Sequence, residues 1–394
     1  MVAGKDKQDK QDKKVNVSKR GTKAQKGANA QQSVTEDKVT RVHKGERQRE
    51  SKKAGTTIAT DNGKLPMPPS SLAPLLSANR QMPLRYQIVK IPPHHTLYQQ
   101  TCEWLAGFVL AAASHHGGMV ADVDPEYLHQ YRVNLRKARS VVSLLDGAFD
   151  KTDTEILKRQ LADLMKLSGH LRDLDVYLLA KTEVLAQLPV CLRQSGERLF
   201  SHIALLRERE KQRVMAQLSQ EAFEEVVAPL LKNLQKTRWH QGKAAKHNAI
   251  AVVATRLIRQ IGKTQRIAQA IDAQSSVEQV HQLRIACKKL RYLTELLLPS
   301  ANSVAMRQFV KALKQMTESL GEFNDGCVQM AFLQRQAEDT ALAPTIALAI
   351  GALILRAEER QHHARSHVEQ RIDALLIALS SSKLHAELRV LMGQ

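Results

Sequence analysis

The sequence predicts an all-α protein: two four-helix bundles related by a pseudo-twofold axis, preceded by a disordered basic tail. Three observations lead there. Proline is sparse beyond residue 94, at Pro125, Pro189, Pro229, Pro299 and Pro344. Between these prolines, Leu, Ala, Gln, Arg, Lys and Glu dominate and apolar residues recur at three- and four-residue steps, the helical period, with no period-2 run. Finally, the chain repeats itself at an offset of 152 residues.

The tail comes first. Residues 1–64 hold 17 Lys/Arg against 8 Asp/Glu, with no aromatic residue and no proline. Such a segment buries too little apolar surface to offset its ordering entropy, so it is expected to be disordered. It reads either as an electrostatic arm for a polyanion, nucleic acid included, or as a solubilising extension. Residues 65–93 carry seven of the twelve prolines and read as an extended linker. The body is expected over 94–390, with repeat 1 at about 94–240 and repeat 2 at about 245–390.

Within the body, helices are predicted near 96–115, 124–147, 153–187 and 190–218, then 248–270, 276–298, 303–338 and 343–376. A short terminal helix is placed at 383–392. Residues 340–355 form an uncharged apolar run. The run is shorter than the ~20 residues of a membrane span and contains Pro344, so a buried helix is expected. The four cysteines, Cys102, Cys191, Cys287 and Cys327, are widely spaced, which argues for reduced thiols in a cytoplasm rather than a disulfide or zinc framework. The N-terminus lacks the apolar core of a secretory signal.

The repeat is seen in two motifs. HQYRVNLRKARSVVSLL begins at His129 and HQLRIACKKLRYLTELL at His281. Further on, SGHLRDLDV from Ser168 aligns with LGEFNDGCV from Leu320, at the same offset. At 100° per residue, His129, Arg132, Arg136 and Arg139 fall within about 80° of each other. Lys137 lies about 80° to the other side. Leu128, Tyr131, Leu135, Ala138, Val142 and Leu145 make a separate apolar face. The second copy repeats the stripe as His281, Arg284, Lys288 and Arg291, with Lys289 equivalent to Lys137. Its apolar face is Val280, Leu283, Cys287, Leu290, Thr294 and Leu297.

Each helix is therefore expected to pack one face and present a His/Arg/Lys stripe beside it. Ten helical residues span about 15 Å, room for several consecutive phosphates. One stripe alone is adequately explained as a solvated helix face. Two copies that keep basic character favour an anion site, because a like-charged row costs helix stability. Charge agrees: 59 Lys/Arg against 39 Asp/Glu give a formal +20. Of these, 42 and 31 lie beyond residue 64, so the body is basic in its own right. Such an excess points to a polyanionic partner. Aromatics are only 4%, against a protein that stacks nucleic-acid bases.

The motif pair, H-x-x-R-V/I-x-x-R/K-K-x-R followed by G-x-x-R/N-D-x-x-V, resembles the CHAD (conserved histidine α-helical domain) family over about residues 95–380. His129, Arg132, Arg136, Lys137 and Arg139 carry it with Gly169, Arg172 and Asp173. The second set is His281, Arg284, Lys288, Lys289 and Arg291 with Gly321, Asn324 and Asp325. The resemblance implies two helical bundles around a basic groove that binds inorganic polyphosphate, and association with polyphosphate granules. Asn324 in place of Arg172 departs from the pattern and counts against a ligand role for that arginine. The E-x-E-x-K signature of a frequent companion domain does not occur.

Asp173 and Asp325 are expected to support the site, by pairing with a motif Arg or His or by satisfying helix-end donors. Arg159, Lys311 and Lys314 extend the groove or are solvated surface. His115, His116, His362, His363 and His367 lack the accompanying carboxylate of a helical zinc motif, so no metal or cofactor is expected. No phosphate-binding loop, dinucleotide glycine pattern or nucleophile elbow is present, and a non-enzymatic binding protein is the leading expectation. The alternatives are a nucleoid-type nucleic-acid binder using the tail, and a metal-dependent phosphohydrolase.

Overall fold

The computed structural model describes residues 57–58, 85–338 and 343–394, so the expectation of a disordered tail falls outside the described residues. Thirteen helices follow one another in the described chain: α1 (Leu97–Ser114), α2 (His116–Val120), α3 (Pro125–Leu144), α4 (Lys151–Leu167), α5 (Gly169–Leu179), α6 (Lys181–Ala186), α7 (Arg193–Gln217), α8 (Gln220–Gln235), α9 (Ala249–Gln269), α10 (Val277–Leu297), α11 (Val304–Ala337), α12 (Pro344–Leu379) and α13 (Ser382–Leu391). The strand pairing among described residues is a two-residue parallel match, β1 (Thr57–Ile58) with β2 (Arg85–Tyr86).

The 152-residue offset governs the architecture. It carries α1 onto α9, α3 onto α10, and α4 with α5 onto α11. Helix starts follow local chemistry. Thr96 and Ser276 form capping boxes with Gln99 and Gln279. Asp124 caps α3 and Pro125 supplies a preset first turn. Thr96 and Asn248, the caps of α1 and α9, are 152 apart and form an antiparallel bridge. Across it, Leu97 N–H donates to His247 and Ala249 N–H donates to His95. These four residues form two pairs at the same offset, so the pseudo-twofold axis passes through this bridge.

One predicted element differs, and two helices, α2 and α8, have no predicted counterpart. The single helix expected over 153–187 is three helices, because the chain breaks at Ser168 and again at Ala180. Its counterpart α11 runs unbroken, with Leu320 at the position of Ser168. Helix α8 was not anticipated, since Pro229 reads as a breaker. It lies inside α8 on the exposed side, where the carbonyl its ring leaves without an N–H partner can face water.

The apolar faces expected for α3 and α10 are buried throughout and belong to a core that runs continuously through both bundles. A second cluster joins the far ends, where Tyr177, Leu199, Phe200 and Ile203 meet Phe332, Ile346, Ile350 and Leu353. The chain leading into α1 lies on the body. The Tyr86 ring packs edge-on against Phe108 at 4.8 Å, Ile91 is fully buried, and the Ile91 N–H donates to Ser300 Oγ.

Candidate polyanion-binding site

Helices α3 and α10, which carry the two stripes, pack against one another. The stripe residues sit at graded depth. His129 is 5% exposed, Arg132 4% and Arg284 2%. Arg136, Lys288, His281 and Arg291 are half-buried, whereas Arg139 and Lys289 are exposed. The second motif positions Arg132. Arg132 Nη1 donates to the Met165 carbonyl at 2.6 Å and to Ser168 Oγ at 3.0 Å, so the helix break at Ser168 is what receives this guanidinium. Gly169 follows at once; a β-carbon there would stand 3.7 Å from Arg132 Nη1. In repeat 2 a β-carbon on Gly321 would stand 4.0 Å from Arg284 Nη1.

Symmetry fails at the next position. Asn324 Oδ1 lies 3.3 Å from His281 Nδ1, orienting that imidazole. Its counterpart Arg172 is buried and donates instead to the Pro125 carbonyl at 3.3 Å. Beside it, Arg207 holds Asp122 by two hydrogen bonds (2.5 and 2.6 Å) and Asp175 by a third (2.9 Å). That cluster was not apparent in the sequence, because its members lie on three segments and have no repeat-2 counterparts.

Electrostatics follow from this crowding. Although Arg139 as a whole residue is exposed, its guanidinium is partly covered beside Met165, and this desolvation, then the neighbouring Arg132, pulls it below its ordinary value. An anion bound nearby would relieve that repulsion. Lys137 turns away from the stripe. It lies 5.7 Å over the Phe108 ring and pairs with Glu295 on α10 at 3.5 Å, and Arg291 reaches the same carboxylate at 3.1 Å. Lys137 thereby bolts α1, α3 and α10 together. Arg159, Lys311 and Lys314 are exposed, and Arg159 and Lys311 occupy equivalent positions on α4 and α11. Asp173 and Asp325 lie inside α5 and α11 rather than at helix ends. Their charges, with those of Arg335 and Arg360, act on the buried Tyr177 hydroxyl.

The histidines considered for metal ligation are dispersed. His116 Nε2 is bonded to the Leu218 carbonyl and its ring stacks on Phe223 at 4.1 Å, while His367 faces Glu322 at 3.9 Å. The fold does gather Asp150, Asp153 and His240, which no spacing signal announces. There Asp150 caps α4, and Asp153 accepts the His240 backbone N–H at 2.6 Å.

The model of the CHAD domain matches residues 104–334, more than half of the chain. The chain belongs to the CHAD family. Two solved structures share the fold. The CHAD domain from the plant Ricinus communis superposes with a TM-score of 0.61 at 21% identity, covering 73% of this chain and 96% of the plant domain. PptA from Streptomyces chartreusis superposes at 0.55 with 16% identity, covering 70% and 99% respectively. No curated protein matches in sequence. Among the described residues of this CHAD protein, no helix is long and apolar enough to cross a membrane.

Proposed function

We propose that this CHAD protein binds inorganic polyphosphate through its two His/Arg/Lys stripes and associates with polyphosphate granules in the cytoplasm, as a binding protein rather than an enzyme. CHAD membership supports a polyphosphate-related role. The observation that carries the reading is the recurrence of the stripe at equivalent positions on two packed helices, α3 and α10. Cations fixed on packed helices lose little freedom when a polymer docks. Arginine supplies forked, permanently charged donors and lysine a compact point charge, a set that suits a chain of phosphates without base recognition.

Arg136 and Lys288 are the equivalent half-buried pair, so they can be reversed without uncovering the floor of the site. Arg136→Glu with Lys288→Glu should remove most binding of long-chain polyphosphate, with the helical circular dichroism unchanged. Lys13→Glu with Lys14→Glu changes net charge equally and should weaken binding only slightly. Equal losses would overturn the reading in favour of bulk charge, as would a preference for DNA over polyphosphate at fixed salt. Shortening of the polymer by the protein with Mg²⁺ would overturn the non-enzymatic part.

A further inference from the structure

Pseudo-symmetry exposes a second basic surface, outside the stripes. Residues 226–271 contain nine Lys/Arg and no Asp or Glu, in a chain that averages one acid in about ten residues. The longest helical stretch of this run is α9. Its buried face is Val253, Leu257, Ile261, Thr264 and Ala268. Opposite that face, Arg259, Lys263 and Arg266 are exposed, with the exposed Gly262 between them. Arg256, one turn earlier, is tied to Asp146 at 2.7 Å and anchors the N-terminal half of the helix to the end of α3.

The symmetry-equivalent face in repeat 1 has the opposite character. The 152-residue offset maps Arg256, Arg259, Lys263 and Arg266 onto Trp104, Gly107, Ala111 and Ser114 of α1, all buried. The chain itself covers that face: the Tyr86 ring sits on Gly107 and Phe108, and α8 packs alongside. Among the described residues, the same face of α9 is open to solvent from Arg259 onward, and its side chains have become cations. Successive cations at four- and three-residue steps repel along a helix, so solvation alone is a poor reason to gather them without an acid. They rise about 6 and then 4.5 Å along one rigid axis, a spacing suited to consecutive phosphates. No aromatic side chain occurs in α9, so there is nothing on which a base would stack.

We propose that the outer face of α9 is a second phosphate-polymer contact, separate from the duplicated stripes, which lets one molecule hold two stretches of polyphosphate. The inference rests on the polyphosphate reading above and adds a bridging role to it. A short chain fills the stripes alone. A long chain engages both surfaces and gains avidity, and two chains can be joined through one protein.

The test uses the full chain with Arg259→Glu, Lys263→Glu and Arg266→Glu together. Arg193→Glu, Arg198→Glu and Arg209→Glu, on the exposed side of α7, form the charge-matched control. Both variants are titrated with short and long polyphosphate, and bridging is read as energy transfer between donor- and acceptor-labelled long chains. The α9 triple variant should hold short chains within about twofold of the parent, lose at least about tenfold in long-chain affinity, and abolish transfer. The control should leave transfer intact. Transfer that persists in the α9 variant, equal effects of the two triples, or a loss confined to DNA would each overturn the second site. Failure of the polyphosphate reading itself shows separately, as short-chain binding indifferent to Arg136→Glu with Lys288→Glu.

Discussion

Tyr177 donates its hydroxyl to the backbone carbonyl of Gln329 at 3.1 Å, and Gln329 is its own symmetry equivalent, 152 residues on. A residue that touches its own counterpart lies on the axis. The axis therefore runs from the Thr96–Asn248 bridge at one end of the molecule to this hydrogen bond at the other. The Tyr177 ring also stacks on Phe332 at 3.8 Å, so the contact joins the two repeats by packing as well as polarity.

Tyr177→Phe should therefore cost about 1 kcal/mol, the net worth of one hydrogen bond. Tyr177→Ala should cost about 3–5 kcal/mol, because the stacked ring goes too. Urea denaturation of the full chain measures both. A Phe variant as damaged as the Ala variant would show that the hydroxyl, not the ring, holds the repeats together.

Gly107 carries a prediction with a change of sign. A β-carbon there would stand 2.3 Å from the Tyr86 ring. Gly107→Ala must push that ring away and should destabilise by about 1–3 kcal/mol. With Tyr86→Ala already present, the same substitution should be neutral or stabilising, since alanine favours a helix by about 1 kcal/mol over glycine. A double-mutant cycle reads the coupling. Additive effects would mean the lead-in segment does not rest on α1.

His116 makes stability depend on pH. Burial, opposed by the hydrogen bond to Leu218, lowers its pKa to about 4. The unfolded imidazole takes a proton near pH 6.5, which the folded one refuses. Stability is therefore complete above about pH 6.5, falls as pH drops below that value, and levels off below about pH 4. Between pH 7 and pH 5 this group accounts for a loss of about 2 kcal/mol. His116→Phe keeps the stack on Phe223 and should flatten that part of the slope. An unchanged slope in denaturation midpoints would refute the assignment.

Arg207→Met should cost about 3–5 kcal/mol at neutral pH, because it strands Asp175, whose side chain is 1% exposed, without its ionic partner. Burial already pushes the Asp175 carboxyl up, even with Arg207 present. Arg207 holds Asp122 below the usual carboxylate range, so that pair adds stability above the ordinary carboxylate pKa and loses it as pH falls through the lowered value. The deficit of Arg207→Met should accordingly shrink on acidification, as the stranded Asp175 takes a proton. A deficit constant from pH 7 to pH 5 would show that lost packing, not a buried charge, is responsible.

The sequence alone determined the all-α class, the duplication, and the ends of α1, α3, α9 and α10 to within a few residues. These follow from local rules. Apolar period, capping residues such as Thr96 and Ser276, and one repeated offset all act within a few turns of helix. The same rules placed the stripes beside the apolar faces of α3 and α10 and set Lys137 off them. Tertiary structure decided what depends on neighbours distant in the chain. It fixed which stripe members are floor and which are rim, because Arg132 finds its acceptors 33 and 36 residues away at Met165 and Ser168. It broke α4 from α5 while α11 ran on, a difference that helical propensity does not signal. It also gave equivalent faces opposite fates. Gly107 lies under the Tyr86 ring of the chain's own lead-in, while its counterpart Arg259 meets solvent, because among the described residues the lead-in packs against α1.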